Sequence, residues 1–144
     1  MLTIIPLRKI NIPPNGLHLW LSLCAQDLPT DSGVIIDTGA SQTVFDPMVM
    51  KNYLSDIQQN TESDFASGIN AMIEKTEYGV INGPIIGAQK IENLSVGIMN
   101  LEHIRGIYKD FFDLNLCGLI GSDFLEKHRA QIDYKSSKLT LYSD

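Results

Sequence analysis

A mainly β fold with one or two short helices is the class this sequence predicts. Three observations carry it: strand-like runs of alternating hydrophobicity, turn residues that cut those runs at short intervals, and only two helix-start signals. Leu17, Leu19, Leu21 and Leu23 alternate with His18, Trp20 and Ser22, the period-two pattern of a strand. Asp31-Ser32-Gly33 reads as a turn into the apolar run Val34-Ile35-Ile36. Asp46-Pro47 is a helix start, an N-cap acid with proline at the first helical position. Val49, Tyr53 and Ile57, joined by Met50 and Leu54, extend that reading into an amphipathic helix ending near Asn60. Residues 61–72 are polar, with Ala66-Ser67-Gly68 at their centre, and suggest an exposed hairpin or mobile loop. Further strands are expected around 78–86, 91–98, 104–108 and 114–120. Asp123 with Glu126 forms a capping-box pattern opening a second helix, with Phe124, Leu125 and His128 on one side. The chain closes with an apparent hairpin, 130–134 and 138–142, turning at Ser136-Ser137.

Composition narrows the function classes. The 144 residues fit one domain over 1–144, and 44% apolar with 19% charged residues excludes wholesale disorder. No apolar run is long enough for a spanning helix, so no membrane partner is expected. A net charge of −6 with no basic block argues against nucleic acid as a partner. Two cysteines and three histidines, all scattered, supply neither a zinc site nor a disulfide framework, so no metal and no cofactor is expected. Arg8-Lys9 ahead of Leu17–Cys24 loosely resembles a lipoprotein signal. Its apolar core is short, contains His18, follows Pro13-Pro14-Asn15-Gly16, and puts Leu23 where a small residue is wanted. The strand reading is preferred, and a cytoplasmic rather than secreted or lipid-anchored protein is expected.

The chemistry-bearing segment is Val34-Ile35-Ile36-Asp37-Thr38-Gly39-Ala40-Ser41-Gln42-Thr43. A carboxylate directly after a buried-strand run, followed by Thr-Gly, sits on a tight turn at a strand end, where turn amides can hydrogen-bond it. Alone, Asp-Thr-Gly is a weak signal that a functionless β-turn would explain. About 80 residues later comes a second strand-end signal, Cys117-Gly118-Leu119-Ile120-Gly121-Ser122-Asp123, opening a helix.

Together these two stretches resemble the retroviral-type (retropepsin-like, clan AA) aspartic proteases, in a bacterial or cellular single-domain form. The match runs through Asp37-Thr38-Gly39-Ala40 with Thr43, a small glycine-containing candidate flap around 64–71, and Leu119-Ile120-Gly121 with its helix. The layout covers roughly residues 15–143. The resemblance implies an acid-protease half-barrel, one lobe per chain, acting as a homodimer in which each copy contributes one aspartate. It implies Asp37 as the catalytic residue and Thr38, Gly39, Ala40 and Thr43 as support of the catalytic turn. Thr38 would bond across the dimer axis, Gly39 would contact substrate backbone, and Ser67, Gly68 and Ile69 would form the substrate-binding flap. Leu119, Ile120 and Gly121 would pack behind the turn. Retroviral members usually carry an ion pair formed by Asp after the alanine and Arg after the motif's glycine. Here Ser41 and Ser122 stand there, so both partners are absent together and no charge is stranded.

The remaining residues have plainer readings. His103 and His128 lack spaced partners and read as surface or partly buried polar groups. Cys24 and Cys117 read as small core residues, Met48, Met50 and Met72 as packing, and Trp20 as part of an alternating strand. Gly118–Ser122 is no phosphate loop, because no lysine follows at the required spacing. The function expected is an aspartic endopeptidase acting on peptide or protein substrates. The alternative is a catalytically silent dimerisation or peptide-binding module of the same fold.

Overall fold

In the computed structural model, residues 1–60 and 76–142 are described. The chain runs β1 (Leu2–Pro6), β2 (Arg8–Ile12), β3 (Gly16–Cys24), β4 (Ser32–Ile36) and β5 (Val44–Phe45). A short helix α1 (Pro47–Met50) and a 3-10 turn (Lys51–Tyr53) lead into β6 (Leu54–Asn60). Then come β7 (Thr76–Ile81), β8 (Ile85–Ile86), β9 (Gln89–Lys90), β10 (Leu94–Ile98) and helix α2 (Glu102–Phe112). The last elements are β11 (Asn115–Ile120), helix α3 (Ser122–Lys127), β12 (Gln131–Asp133) and β13 (Lys138–Tyr142). The large sheet has the order β6-β7-β10-β5-β11-β4-β3-β8-β9, with β2 paired to β3; β1, β13 and β12 form a separate antiparallel sheet. This is the mainly β fold with short helices that the sequence predicts; no closed barrel forms among the described residues.

Why Val34-Ile35-Ile36 is apolar throughout follows from packing. Val34 and Ile36 belong to a core with Leu21, Phe45, Ile120 and Phe124, whereas Ile35 belongs to a second core on the other face with Trp20, Tyr108 and Leu116. A strand covered on both faces needs no polar alternation. The second core exists because α2 lies against it: Tyr108, 1% exposed, stacks on Trp20 with ring centroids 5.6 Å apart. Burial pushes the Tyr108 phenol up to about 12. Its hydroxyl is hydrogen-bonded to His18 Nδ1.

Two elements correct the sequence reading. The helix expected to reach Asn60 stops at Met50, and residues 54–60 instead pair antiparallel with β7, Leu54 opposite Ile81 and Asn60 opposite Thr76. The four-residue spacing of Val49, Tyr53 and Ile57 was coincidental beyond Tyr53, since Ile57 is exposed. The register shifts between Ser55 and Gln58, where Asp56 takes φ 52°, a left-handed conformation that a helix excludes. Conversely, the strand expected at 104–108 is the middle of α2. Ile104, Tyr108 and Phe112 recur at a spacing of four, a helical stripe that lands on the second core. The Asn100 side chain accepts from Glu102 N at 2.8 Å at its start. Smaller corrections concern Cys24 and Met48, which are exposed rather than packed. The closing hairpin forms as expected, its turn held by Asp133, which accepts from Lys135 N, Ser136 N and Ser136 Oγ.

Candidate active site

β11 lies between β4 and β5, parallel to β4 (Ile120 opposite Ile36) and antiparallel to β5 (Gly118 opposite Phe45). The connection 37–43 must therefore pass over the end of β11, and that crossing carries Asp-Thr-Gly. Asp37 N donates to Ile120 O at 2.8 Å, continuing the sheet by one bond. The chain then turns: Ala40 N donates to Asp37 O at 3.1 Å, and Gly39 N donates to Asp37 Oδ1 at 3.1 Å. Asp37, Thr38 and Gly39 are exposed. Asp37 Oδ2 accepts nothing among the described residues, so its lone pairs remain open to water or a second group.

The turn is tied to the start of α3 by a compact set of bonds. Thr43, fully buried, receives Gly121 N on Oγ1 at 3.0 Å. The same hydroxyl donates to Asp123 Oδ1 at 2.7 Å, which also accepts Thr43 N at 2.9 Å and Phe124 N at 2.8 Å. Ser122 N closes the set by donating to Ala40 O at 2.8 Å. Gly121 is dictated by space: a Cβ there would lie 2.8 Å from Ala40 O and from the Gln42 carbonyl carbon. At Gly118 it would lie 2.3 Å from Val44 O. A side chain at Gly118 pushes β11 away from β5, and one at Gly121 pushes the end of β11 away from the turn.

Asp123 is the residue whose role the local pattern misassigned. The N-cap of α3 is Gly121, and Asp123 lies inside the helix, its carboxylate reaching Thr43 rather than forming a capping box with Glu126. Asp46 behaves as read, accepting Met48 N at 2.8 Å on Oδ1 to cap α1. It does more than that: Oδ2 accepts Leu101 N at 2.8 Å and Arg105 Nε at 2.8 Å, with Asp46 itself fully buried. Arg105 escaped the sequence reading because its helix did; the stripe of α2 was the available signal.

The structure thus brings Asp37, Thr38, Gly39, Ala40 and Thr43 together with Leu119, Ile120 and Gly121. Ile120 is in the core and Leu119 packs half-buried against the second core. Ser67, Gly68, Ile69 and the whole 61–72 segment, as well as Met72, lie outside the described residues. Beside the turn is a cavity of about 320 Å³ lined by Thr38, Ser122, Leu125, Arg129, Ala130 and Ile132. Cys117 is fully buried, and burial pushes its thiol up to about 11, so it stays protonated and unreactive. Among the described residues no cluster of His, Cys, Asp or Glu suits a metal ion, and no helix is long and apolar enough to cross a membrane.

No protein-family model matches the chain, and no curated protein does. Among solved structures, a retropepsin-like aspartic protease from Rickettsia conorii is similar. It is 16% identical with a TM-score of 0.54, over 99% of this chain and 90% of that one. At that identity the likeness concerns the fold, which is retropepsin-like.

Proposed function

We propose that residues 1–144 form a single peptidase domain, an aspartic endopeptidase acting as a homodimer with Asp37 of each copy as the catalytic pair. The observation that carries the reading is Asp37 itself, an exposed carboxylate with an open oxygen on a turn otherwise locked by buried hydrogen bonds. A scaffold gains nothing from such a group, whereas a catalyst needs its lone pairs free and its position fixed. One Asp-Thr-Gly per chain makes a second copy necessary for a pair. Exposed Leu2 and Ile4, alternating along β1, support a surface for a partner. Arg129 lines both the cavity beside Thr38 and the neighbouring one at Met1 and Tyr142.

Two carboxylates brought within a few Å cannot both ionise easily and share one proton. The ionised one takes a proton from a water as that water attacks the peptide carbonyl carbon. The protonated one donates to the carbonyl oxygen. The tetrahedral intermediate collapses as the amide nitrogen is protonated and the C–N bond breaks, leaving a new carboxyl terminus and a new amine. Both protons involved come from the water and the dyad, so no cofactor enters. Thr38 is assigned the bond across the dimer axis, Gly39 the contact with substrate backbone, and Ser67, Gly68 and Ile69 the flap. The pair titrates as a unit, and activity peaks on the acid side of neutral. The test is cleavage of a diverse peptide library at high protein concentration from mildly acid to neutral pH, with wild type beside Asp37→Asn. Cuts made only by wild type support the reading. Cuts by both sink the mechanism, and none from a folded dimer favours the peptide-binding alternative.

A further inference from the structure

A second cavity, about 480 Å³, lies between α2 and the starting ends of β4 and β11, at the opposite end of that strand pair from Asp37. Its volume falls in the range of small-molecule sites. Its floor is apolar, formed by half-buried Val49 and by Leu114 and Leu116, 2% and 1% exposed. One wall carries Arg105. Asp46 holds that guanidinium through Nε alone, and the two terminal nitrogens make no hydrogen bond among the described residues. No buried side-chain nitrogen or oxygen lacks a partner among those residues, so the terminal nitrogens meet solvent, in the cavity that Arg105 lines. The buried carboxylate thus fixes a planar cation with a two-pronged edge left free, the geometry that matches a carboxylate bidentately.

Gly106 keeps the mouth open. It stands in the interior of α2, where glycine weakens a helix relative to alanine, yet a Cβ added there would meet nothing within 4 Å. No packing demand explains the missing side chain; an open cavity does. The rim carries Lys109, engaged with Asp113 at 2.9 Å, and the carboxylates Glu102 and Asp110. Those two acids repel a multiply charged anion and tolerate a single charge seated on Arg105.

We propose that this cavity binds a monocarboxylate bearing a branched apolar group, its carboxylate on the terminal nitrogens of Arg105 and its apolar part over Val49, Leu114 and Leu116. The chemistry is shared by a small aliphatic acid and by a peptide chain ending in an apolar residue. The site uses none of the residues of the Asp37 turn and stands whether or not the chain is a peptidase.

The test is a titration of the isotope-labelled full chain, following the backbone amide signals of Gly106, Leu114 and Leu116. N-acetyl-leucine is expected to shift them saturably, and N-acetyl-leucinamide to bind at least about tenfold more weakly, since it lacks the charge-assisted pair. Gly106→Leu places a side chain at the mouth from a position where a Cβ meets nothing within 4 Å, and it is expected to abolish the shifts while the thermal midpoint holds. Arg105→Gln is informative only alongside it, because it unpairs a buried carboxylate. Inorganic phosphate is expected to leave the signals in place. Equal binding of the amide, binding of phosphate as tight as that of N-acetyl-leucine, undiminished binding by Gly106→Leu, or no shifts at tens of millimolar each overturn the proposal. If the proposal holds, 4-methylpentanoate names the source: affinity equal to N-acetyl-leucine assigns a small acid, and weaker affinity assigns a chain end.

Discussion

Asp37 and Asp46 stand either side of the 38–43 turn and β5, and their surroundings could hardly differ more. Asp37 is exposed and accepts one amide at 3.1 Å. Asp46 is fully buried and accepts two amides and a guanidinium, each at 2.8 Å. A carboxylate whose oxygens are all engaged is a structural tie, because removing it strands the donors it satisfied. A carboxylate held by a single bond on a rigid turn has been left capacity for something outside the chain. Position along the sequence says little about which is which; the count of donors does.

The same substitution at the two sites separates them. Asp37→Asn is expected to lower peptide cleavage by about a thousandfold or more while leaving the thermal midpoint in place, measured by library cleavage and calorimetry side by side. Asp46→Asn is expected to cost about 3 kcal/mol of folding stability, because Arg105 and the amides of Met48 and Leu101 lose a buried anion. Denaturant unfolding checks this, and an unchanged midpoint would break the contrast. Thr43→Val sharpens it from between the two: it removes the hydroxyl that joins Gly121 to Asp123, at about 1–3 kcal/mol. Cleavage is expected to fall more than Asn in place of Ser41 would make it fall, since Ser41 has no such bond among the described residues.

The smallest effect concerns pH. His128 packs against Phe124 with ring centroids 4.5 Å apart, and burial, with Lys127 nearby, holds its imidazole below the usual 6.5. The unfolded chain therefore takes up the proton first as the solution is acidified. Stability is whole above about 6.5 and is lost as pH falls through that value toward the folded-state one. His128→Leu is expected to flatten that part of the stability profile. Asp133, held low by its hydrogen bonds to Ser136, acts only at more acid pH, below its ordinary 3.8.

How much of this was legible in the residues depends on the range of the interaction. Period-two alternation and turn residues located β3, β4, β11 and the closing hairpin, because each is a local pattern. The segments that meet at the turn were legible as two motifs in order. What joins them was not: Thr43 and Asp123 are 80 residues apart, and locally Asp123 with Glu126 imitates a cap. β6 was read as helix because its partner strand, not its own spacing, decides its conformation. α2 was missed although its stripe was present, since Ile104, Ile107 and Tyr108 are also β-branched and aromatic residues that suit a short strand. Arg105 went with it, and so did the second cavity.

The insertion of β11 between β4 and β5 has a consequence for the order of events during synthesis. Strands β4 and β5 emerge early but share no hydrogen bonds with each other; residues 115–120 bridge them. Until that late segment leaves the ribosome, neither the floor of the turn nor the Thr43–Asp123 tie exists. Contacts of such long sequence separation also close slowly. A growing chain thus carries its Asp-Thr-Gly without those contacts until residues 115–123 have followed, and the fold itself sets the moment at which the turn is assembled.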